Sequence, residues 1–127
     1  MRLLLDTHIL LWWLSDDASL PGVARAAIRD PLSEVFVSAA TAWEIAIKQA
    51  LGKLDFPVAQ FPAILAAEGF EPLGITVDHA VLAGALPLHH NDPFDRILIA
   101  QAQHEGLTLV TADAAIPRYG VAVLMRG

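Results

Sequence analysis

Cysteine is absent from the chain, which removes a disulfide framework, a thiolate zinc site and a cysteine nucleophile together. Basic charge is scarce and scattered. Arg2, Arg25, Arg29, Lys48, Lys53, Arg96, Arg118 and Arg126 stand against 14 acids, for a net charge of −6. Phosphate-binding faces are built from clustered Lys and Arg, so this distribution excludes a broad nucleic-acid-binding surface. Any nucleic-acid substrate has to be held locally. No apolar run reaches the ~20 residues that a membrane span needs. The start, MRLLLDTHILLWWL, is apolar enough to suggest a secretory leader, but Asp6 and His8 interrupt it and no small-residue cleavage site follows. The expectation is a cytoplasmic protein with no membrane partner. Internal repeats, low-complexity tracts and interdomain linkers are also missing. A chain of 127 residues suits one domain, residues 1–127, in the usual range of roughly 100–150 residues. It is long enough to bury about two-thirds of its unfolded surface.

What is present is an alternation of short β-like runs and helix-like stretches. Residues 2–5 form a compact apolar strand, and Thr7 is placed to cap a helix to about residue 15. Pro21 can open a second helix to about residue 30. The run EVFVS at 34–38 is β-branched and aromatic, hence a strand, and residues 39–51 form a helix stopped by Gly52. Residues 58–68 read as a helix that Pro62 bends or restarts, and residues 71–75 are extended. Thr76 caps a helix to Ala85, and Asp92-Pro93 opens one that runs to Glu105 and ends at Gly106. Residues 107–110 and 121–124 are the last two strands. Buried-type strands alternating with helices predict an α/β fold: a mostly parallel central sheet of about five strands, with helices on both faces.

Only 17% of the residues are charged and 55% are hydrophobic, so acids set among apolar segments need a reason. Four such acids mark four segments: Asp6 in LLLDTH, Glu44 in SAATAWEIAIKQALGKL, Asp95 in HHNDPFDRILIAQA and Asp113 in LVTAD. In parallel α/β sheets ligands bind at the carboxyl ends of the strands. Asp6 follows the first strand directly and Asp113 follows the fourth. Glu44 lies in the helix after strand two, and Asp95 in the first turn of the helix that Asp92 caps. All four can face one end of the sheet. A hard divalent cation, Mg²⁺ or Mn²⁺, takes oxygen ligands irrespective of their spacing and would offset the solvation cost. Acids gathered on such a metal suggest phosphodiester chemistry.

Each acid also has a plain structural reading. Asp6 can end a strand or support the next helix. Glu44 and Lys48 stand at i,i+4 in the favourable order for an ion pair. Asp92 suits an N-cap better than a ligand, Asp95 a capping-box acid, and Asp113 a turn with Thr111. Joint placement is what these readings leave unexplained. The histidines His8, His89 and His90 invite a catalytic reading, but His89 and His90 sit in a polar loop and suit solvated positions better. Without thiolates or a helical His-x-x-x-His pair, a zinc enzyme is not expected. Trp12 and Trp13 lie about 100° apart on the first helix, so one can enter the core while the other faces outward as a contact for a partner.

The blocks LLLDTHILLW, VSAATAWEIAIKQALGKL, DPFDRILIAQA and LVTAD, in this order and spacing, resemble the PIN-domain ribonucleases, and among them the VapC-like toxins of toxin–antitoxin pairs. The resemblance runs from Leu3 to about Leu124. It implies a PIN-like fold and metal-dependent hydrolysis of RNA, leaving 5′-phosphate and 3′-hydroxyl ends. By position, Asp6, Glu44, Asp95 and Asp113 match the family's acidic metal-site residues, and Thr111 its hydroxyl residue. Lys48 and Arg96 lie beside motif acids and can meet RNA phosphate, or form ion pairs inside the fold, which suits Arg96 better. A homodimer and a small antitoxin protein, covering the outer face of the first helix, are the partners the resemblance implies. The competing class is a non-catalytic or receiver-like Mg²⁺-binding interaction module. A receiver domain needs a lysine after a late strand, whereas Lys48 and Lys53 both lie in the middle helix region. A haloacid-dehalogenase-type phosphatase needs Asp-x-Asp after strand one, where this chain has Asp6-Thr7-His8.

Overall fold

The computed structural model describes residues 1–89 and 91–124; His90 and Arg126 lie outside the described residues. Its strands are β1 (Arg2–Leu5), β2 (Glu34–Ser38), β3 (Glu71–Leu73), β4 (Thr108–Val110) and β5 (Val123–Leu124). They form one sheet in the order β3-β2-β1-β4-β5, and each neighbouring pair is parallel. The helices are α1 (Thr7–Leu14), α2 (Gly22–Arg29), α3 (Ala39–Ala50), α4 (Phe61–Glu68), α5 (Val77–Ala85) and α6 (Pro93–Glu105). A 3₁₀ turn at Val58–Gln60 leads into α4, so Pro62 falls in the first turn of a restarted helix. No helix among the described residues is long and apolar enough to cross a membrane.

Period two in β1 divides the core between the two faces of the sheet. Leu3 and Leu5 point to one side, where they pack with Ile9 and Leu10 of α1, Ala24 and Ile28 of α2, Ile45 of α3 and Leu65 of α4. Leu4 points to the other side, onto Leu98, Ile99 and Ala102 of α6 and onto Ile116 and Tyr119. A central strand buried on both faces therefore reads as an unbroken apolar run. The sheet order also fixes where its winding reverses. From β1 the chain winds outward to β2 and β3, and β4 and β5 add on the opposite side. The reversal lies between β1 and β4, the place where open α/β sheets leave a crevice at the strand ends.

Two local details differ from the sequence expectation. Asp6, not Thr7, is the N-cap of α1; its carboxylate accepts the Ile9 amide at 2.9 Å, which frees the Thr7 hydroxyl for another partner. The strands are also shorter than their apolar runs, because Ile75, Leu107 and Val121 lie beyond the paired residues.

A buried histidine anchors α5 to α6. His79 closes a capping box: its amide donates to the Thr76 hydroxyl at 3.1 Å, and its Nδ1 accepts the Thr76 amide at 3.0 Å. The Gln101 amide group of α6 lies 3.5 Å from the same Nδ1 and donates to the Gly74 carbonyl at 3.2 Å. With Nδ1 receiving N–H groups, the ring proton sits on Nε2, which faces Glu105 at 3.4 Å. His79, His104 and Glu105 have donor atoms within 4.8 Å of one another, a grouping the sequence does not announce. The Nε2–Glu105 contact completes a hydrogen-bonded brace between the two helices. Replacing His79 with Ala strands the Thr76 and Gln101 donors, so we expect a loss of about 1–3 kcal/mol in urea denaturation. A change within about 0.5 kcal/mol, the range of ordinary surface substitutions, would show that the brace contributes nothing.

Candidate active site

The crevice between β1 and β4 begins with Asp6. Leu5 pairs with Val110 across the strands, and the Asp6 amide continues the ladder to the Val110 carbonyl at 3.1 Å. The next residue on each strand is therefore Asp6 and Thr111, side by side and both buried. The Thr111 hydroxyl donates to the Asp6 carboxylate. The Thr111 oxygen in turn accepts the Asp113 amide at 3.0 Å, and an Asp113 oxygen accepts the Ala115 amide at 2.9 Å. The turn expected between Thr111 and Asp113 is present, and it serves to present Asp113 to the crevice.

Two helices supply the remaining acids. Glu44 lies a turn and a half into α3, buried to 9% exposure. Its Oε1 accepts the Thr7 hydroxyl at 2.7 Å, and its Oε2 meets Lys48 Nζ at 3.0 Å. The i,i+4 ion pair is thus real, but one partner is a buried carboxylate at the crevice. Asp92 caps α6, accepting the Phe94 amide at 2.9 Å and the Asp95 amide at 3.4 Å; this sets Asp95 in the first turn. Asp6, Glu44, Asp92, Asp95 and Asp113 all line one cavity of about 420 Å³, with Thr7, His8, Trp12 and Ala112 completing the wall. A larger cavity of about 670 Å³, between α3 and α4, is apolar and lined by no titratable residue.

Not every candidate joins the cavity. Arg96 turns away, its guanidinium donating to the carbonyls of Ala83 and Leu86 at 2.9 Å and of Pro87 at 3.0 Å. It secures the end of α5 against α6. His89 is exposed, with its ring 5.0 Å from that of Tyr119. The tryptophans diverge as their spacing requires, yet neither faces fully outward. Trp12 lies 5.9 Å from His8 on the cavity wall, and Trp13 packs 6.3 Å from Phe70. The large exposed apolar side chains lie elsewhere, with Trp43 in α3, Leu51 at its end, and Val77 and Val81 in α5. Sequence reading missed Thr7, His8 and Trp12 as cavity residues. The available signal was their position within six residues of Asp6, with His8 and Trp12 four apart on one face of α1.

Burial pushes the Asp6 carboxyl above the ordinary aspartate value of 3.8, and the nearby Asp113 charge adds to this. The Thr111 hydroxyl, the Ile9 amide and His8 oppose it without cancelling it. The folded protein therefore holds the Asp6 proton to higher pH than the unfolded chain. Across the window above 3.8 the native state binds more protons, so stability falls as pH rises through it. Asn carries no charge and caps a helix nearly as well. In melts with chelator present, Asp6→Asn should raise the melting temperature near neutral pH, and the gain should shrink as pH falls below the ordinary aspartate range. A lower neutral-pH melting temperature for the variant would contradict this account of Asp6.

With this geometry in place, comparison with known proteins gives a consistent result. The PIN domain pattern matches residues 3–122. The chain is similar to Ribonuclease VapC22 of Mycobacterium tuberculosis, with 36% identity over 113 residues, covering 87% of this chain and 85% of the relative. Its fold is similar to that of the DNA-bound VapBC from Salmonella typhimurium, with a TM-score of 0.72 at 17% identity, covering 98% of both chains. It is also similar to VapBC2 from Rickettsia felis bound to a promoter DNA fragment, with a TM-score of 0.71 at 15% identity, covering 100% of this chain and 99% of that one. The pattern over residues 3–122 and the 36% identity across most of the chain decide the matter: the chain belongs to the PIN-domain family, in its VapC-like branch.

Proposed function

We propose that the chain is a Mg²⁺- or Mn²⁺-dependent endoribonuclease acting as the toxin of a toxin–antitoxin pair. The observation that carries this reading is the convergence of five carboxylates from four chain segments on one cavity at the switch point. Similarity to a ribonuclease over most of the chain supports it. An all-oxygen donor set suits a hard divalent cation. Asp6 supports the fit, because a carboxylate that burial disfavours ionising gains from a cation. Asp6, Glu44, Asp95 and Asp113 would hold the ion, while Asp92 positions Asp95 by capping α6. A cation bound there lowers the pKa of a water and offsets the charge of the scissile phosphate. The chain's own side chains set the geometry. Thr111 orients Asp6 and shapes the turn that carries Asp113, and the Thr7 hydroxyl fixes one oxygen of Glu44.

Incubation with total RNA, with and without Mn²⁺ and with EDTA, tests the activity directly. Asp6→Asn and Asp95→Asn should abolish cleavage with the fold intact, and Asp92→Asn should be milder because Asn also caps. Mn²⁺ at a hundredfold excess over its Kd should stabilise the wild type by about 2.7 kcal/mol and leave the melting temperature of Asp6→Asn unchanged. Full Mg²⁺-dependent activity in either Asn variant at Asp6 or Asp95 would remove these residues from the site.

A ribonuclease of this kind needs restraint, and solved relatives include toxin–antitoxin complexes. We infer a small antitoxin protein as partner, whose Arg or Lys enters the acidic cavity, where opposite charge favours it. Trp12 on the cavity wall would touch such a segment, whereas Trp13 packs against Phe70. A homodimer would bury some of the exposed apolar surface at Val77 and Val81 of α5. Co-purification with the antitoxin should give a complex inactive toward RNA, and Trp12→Ala should weaken it by more than about 1 kcal/mol. Unchanged antitoxin affinity in Trp12→Ala, or a monomer by light scattering, would overturn the corresponding half of this inference.

A further inference from the structure

A second groove, of about 550 Å³, adjoins the acidic cavity and shares Glu44 and Asp92 with it. Its other walls are Ile47, Lys48, Leu51 and Lys53 at the end of α3, and Asn91, Pro93 and Phe94 at the start of α6. The chain has only two lysines, and both border this groove. Local backbone chemistry puts them there. Gly52 adopts a left-handed conformation at φ 70°, the Gly52 amide bonds the Gln49 carbonyl at 3.0 Å, and the Lys53 amide bonds the Lys48 carbonyl at 2.9 Å. This is a Schellman ending, whose two closing positions commonly hold a hydrophobic pair. Here they hold Lys48 and Lys53. Lys48 is neutralised by Glu44, but the exposed Lys53 pairs with no carboxylate among the described residues. In a protein of net charge −6, the Lys53 ammonium beside the Lys48–Glu44 pair is a local positive charge next to the carboxylates. Phe94 adds a ring to the wall and meets the exposed Trp43 edge-on at 5.3 Å.

We propose that this groove is a subsite for single-stranded RNA leaving the acidic cavity. Lys53 binds the phosphate flanking the scissile one, Lys48 stands between the two sites, and a base stacks on the Phe94–Trp43 pair. The chemistry matches what single strands present: one charge per nucleotide and an aromatic face on every base. The proposal rests on the ribonuclease reading and adds to it the path of the strand.

The test is binding of a fluorescein-labelled oligouridylate to the full-length protein across a salt series, with Ca²⁺ in place of Mg²⁺, followed by cleavage kinetics in Mg²⁺. Each lysine–phosphate contact contributes about 0.7 to the slope of log K against log salt for a single strand. Lys53→Ala should lower the slope by about that amount and raise KM while leaving kcat unchanged, and Lys53→Arg should restore both. Trp43→Ala should weaken binding about tenfold with the slope unchanged, since stacking carries no counterion. Arg29→Ala, on the exposed end of α2, should alter neither. A wild type that cuts RNA while Lys53→Ala keeps the full slope would overturn the groove alone. So would equal losses in Lys53→Ala and Arg29→Ala. A wild type that neither binds nor cuts RNA would overturn the ribonuclease reading as well.

Discussion

A carboxylate buried between two parallel strands is the constraint around which this molecule is arranged. Asp6 sits where the sheet reverses its winding, and its side chain is 5% exposed. Burying a charge without compensation is costly, so its surroundings are set by what it demands. One oxygen accepts the Ile9 amide and thereby starts α1; the Thr111 hydroxyl answers from the end of β4. Because Thr111 also takes the Asp113 amide, the same contact folds the turn that brings a second acid close. The site and the carboxyl end of the sheet are thus one hydrogen-bonded unit.

That arrangement sets stability against function. Burial of Asp6 with Asp113 nearby raises the cost of ionising it, which weakens the fold near neutral pH, and a cation bound there would offset that cost. The scaffold offsets the strain at a distance. α6 carries Asp95 at one end and is fastened to α5 by Arg96 near that end and by His79 and Gln101 further along. These polar groups are buried or half-buried and make contacts with backbone carbonyls or amides. They do no chemistry themselves, yet they fix the helix that presents an acid to the cavity.

Charge is distributed to match. The acids converge inward on the crevice while the only lysines stand just beyond it at the end of α3. A low overall basic content therefore does not decide against a polyanionic substrate. Local juxtaposition of carboxylate oxygens suited to a cation with ammonium groups could hold one phosphodiester where a broad basic surface would hold many.

Sequence by itself determined most element types, the five-strand parallel sheet, the chain-wide family resemblance and the placement of four acids at one end of the sheet. These are carried by short-range physics: period-two and period-3.6 burial, helix caps such as Asp92-Pro93, and stop glycines at Gly52 and Gly106. Tertiary structure decided which hydroxyl and which ammonium serve which carboxylate. By position Thr7 suits a cap, but Asp6 fills that role and the Thr7 hydroxyl instead reaches Glu44, 37 residues away. Arg96 neighbours a motif acid in sequence, yet a helix turns consecutive side chains about 100° apart, and its guanidinium ends on α5. The outward tryptophan expected on α1 became a wall of the cavity, because the helix packs with both indoles half-buried. Side-chain partners separated by tens of residues depend on how helices dock, and docking is fixed by the whole core and not by any local run of sequence.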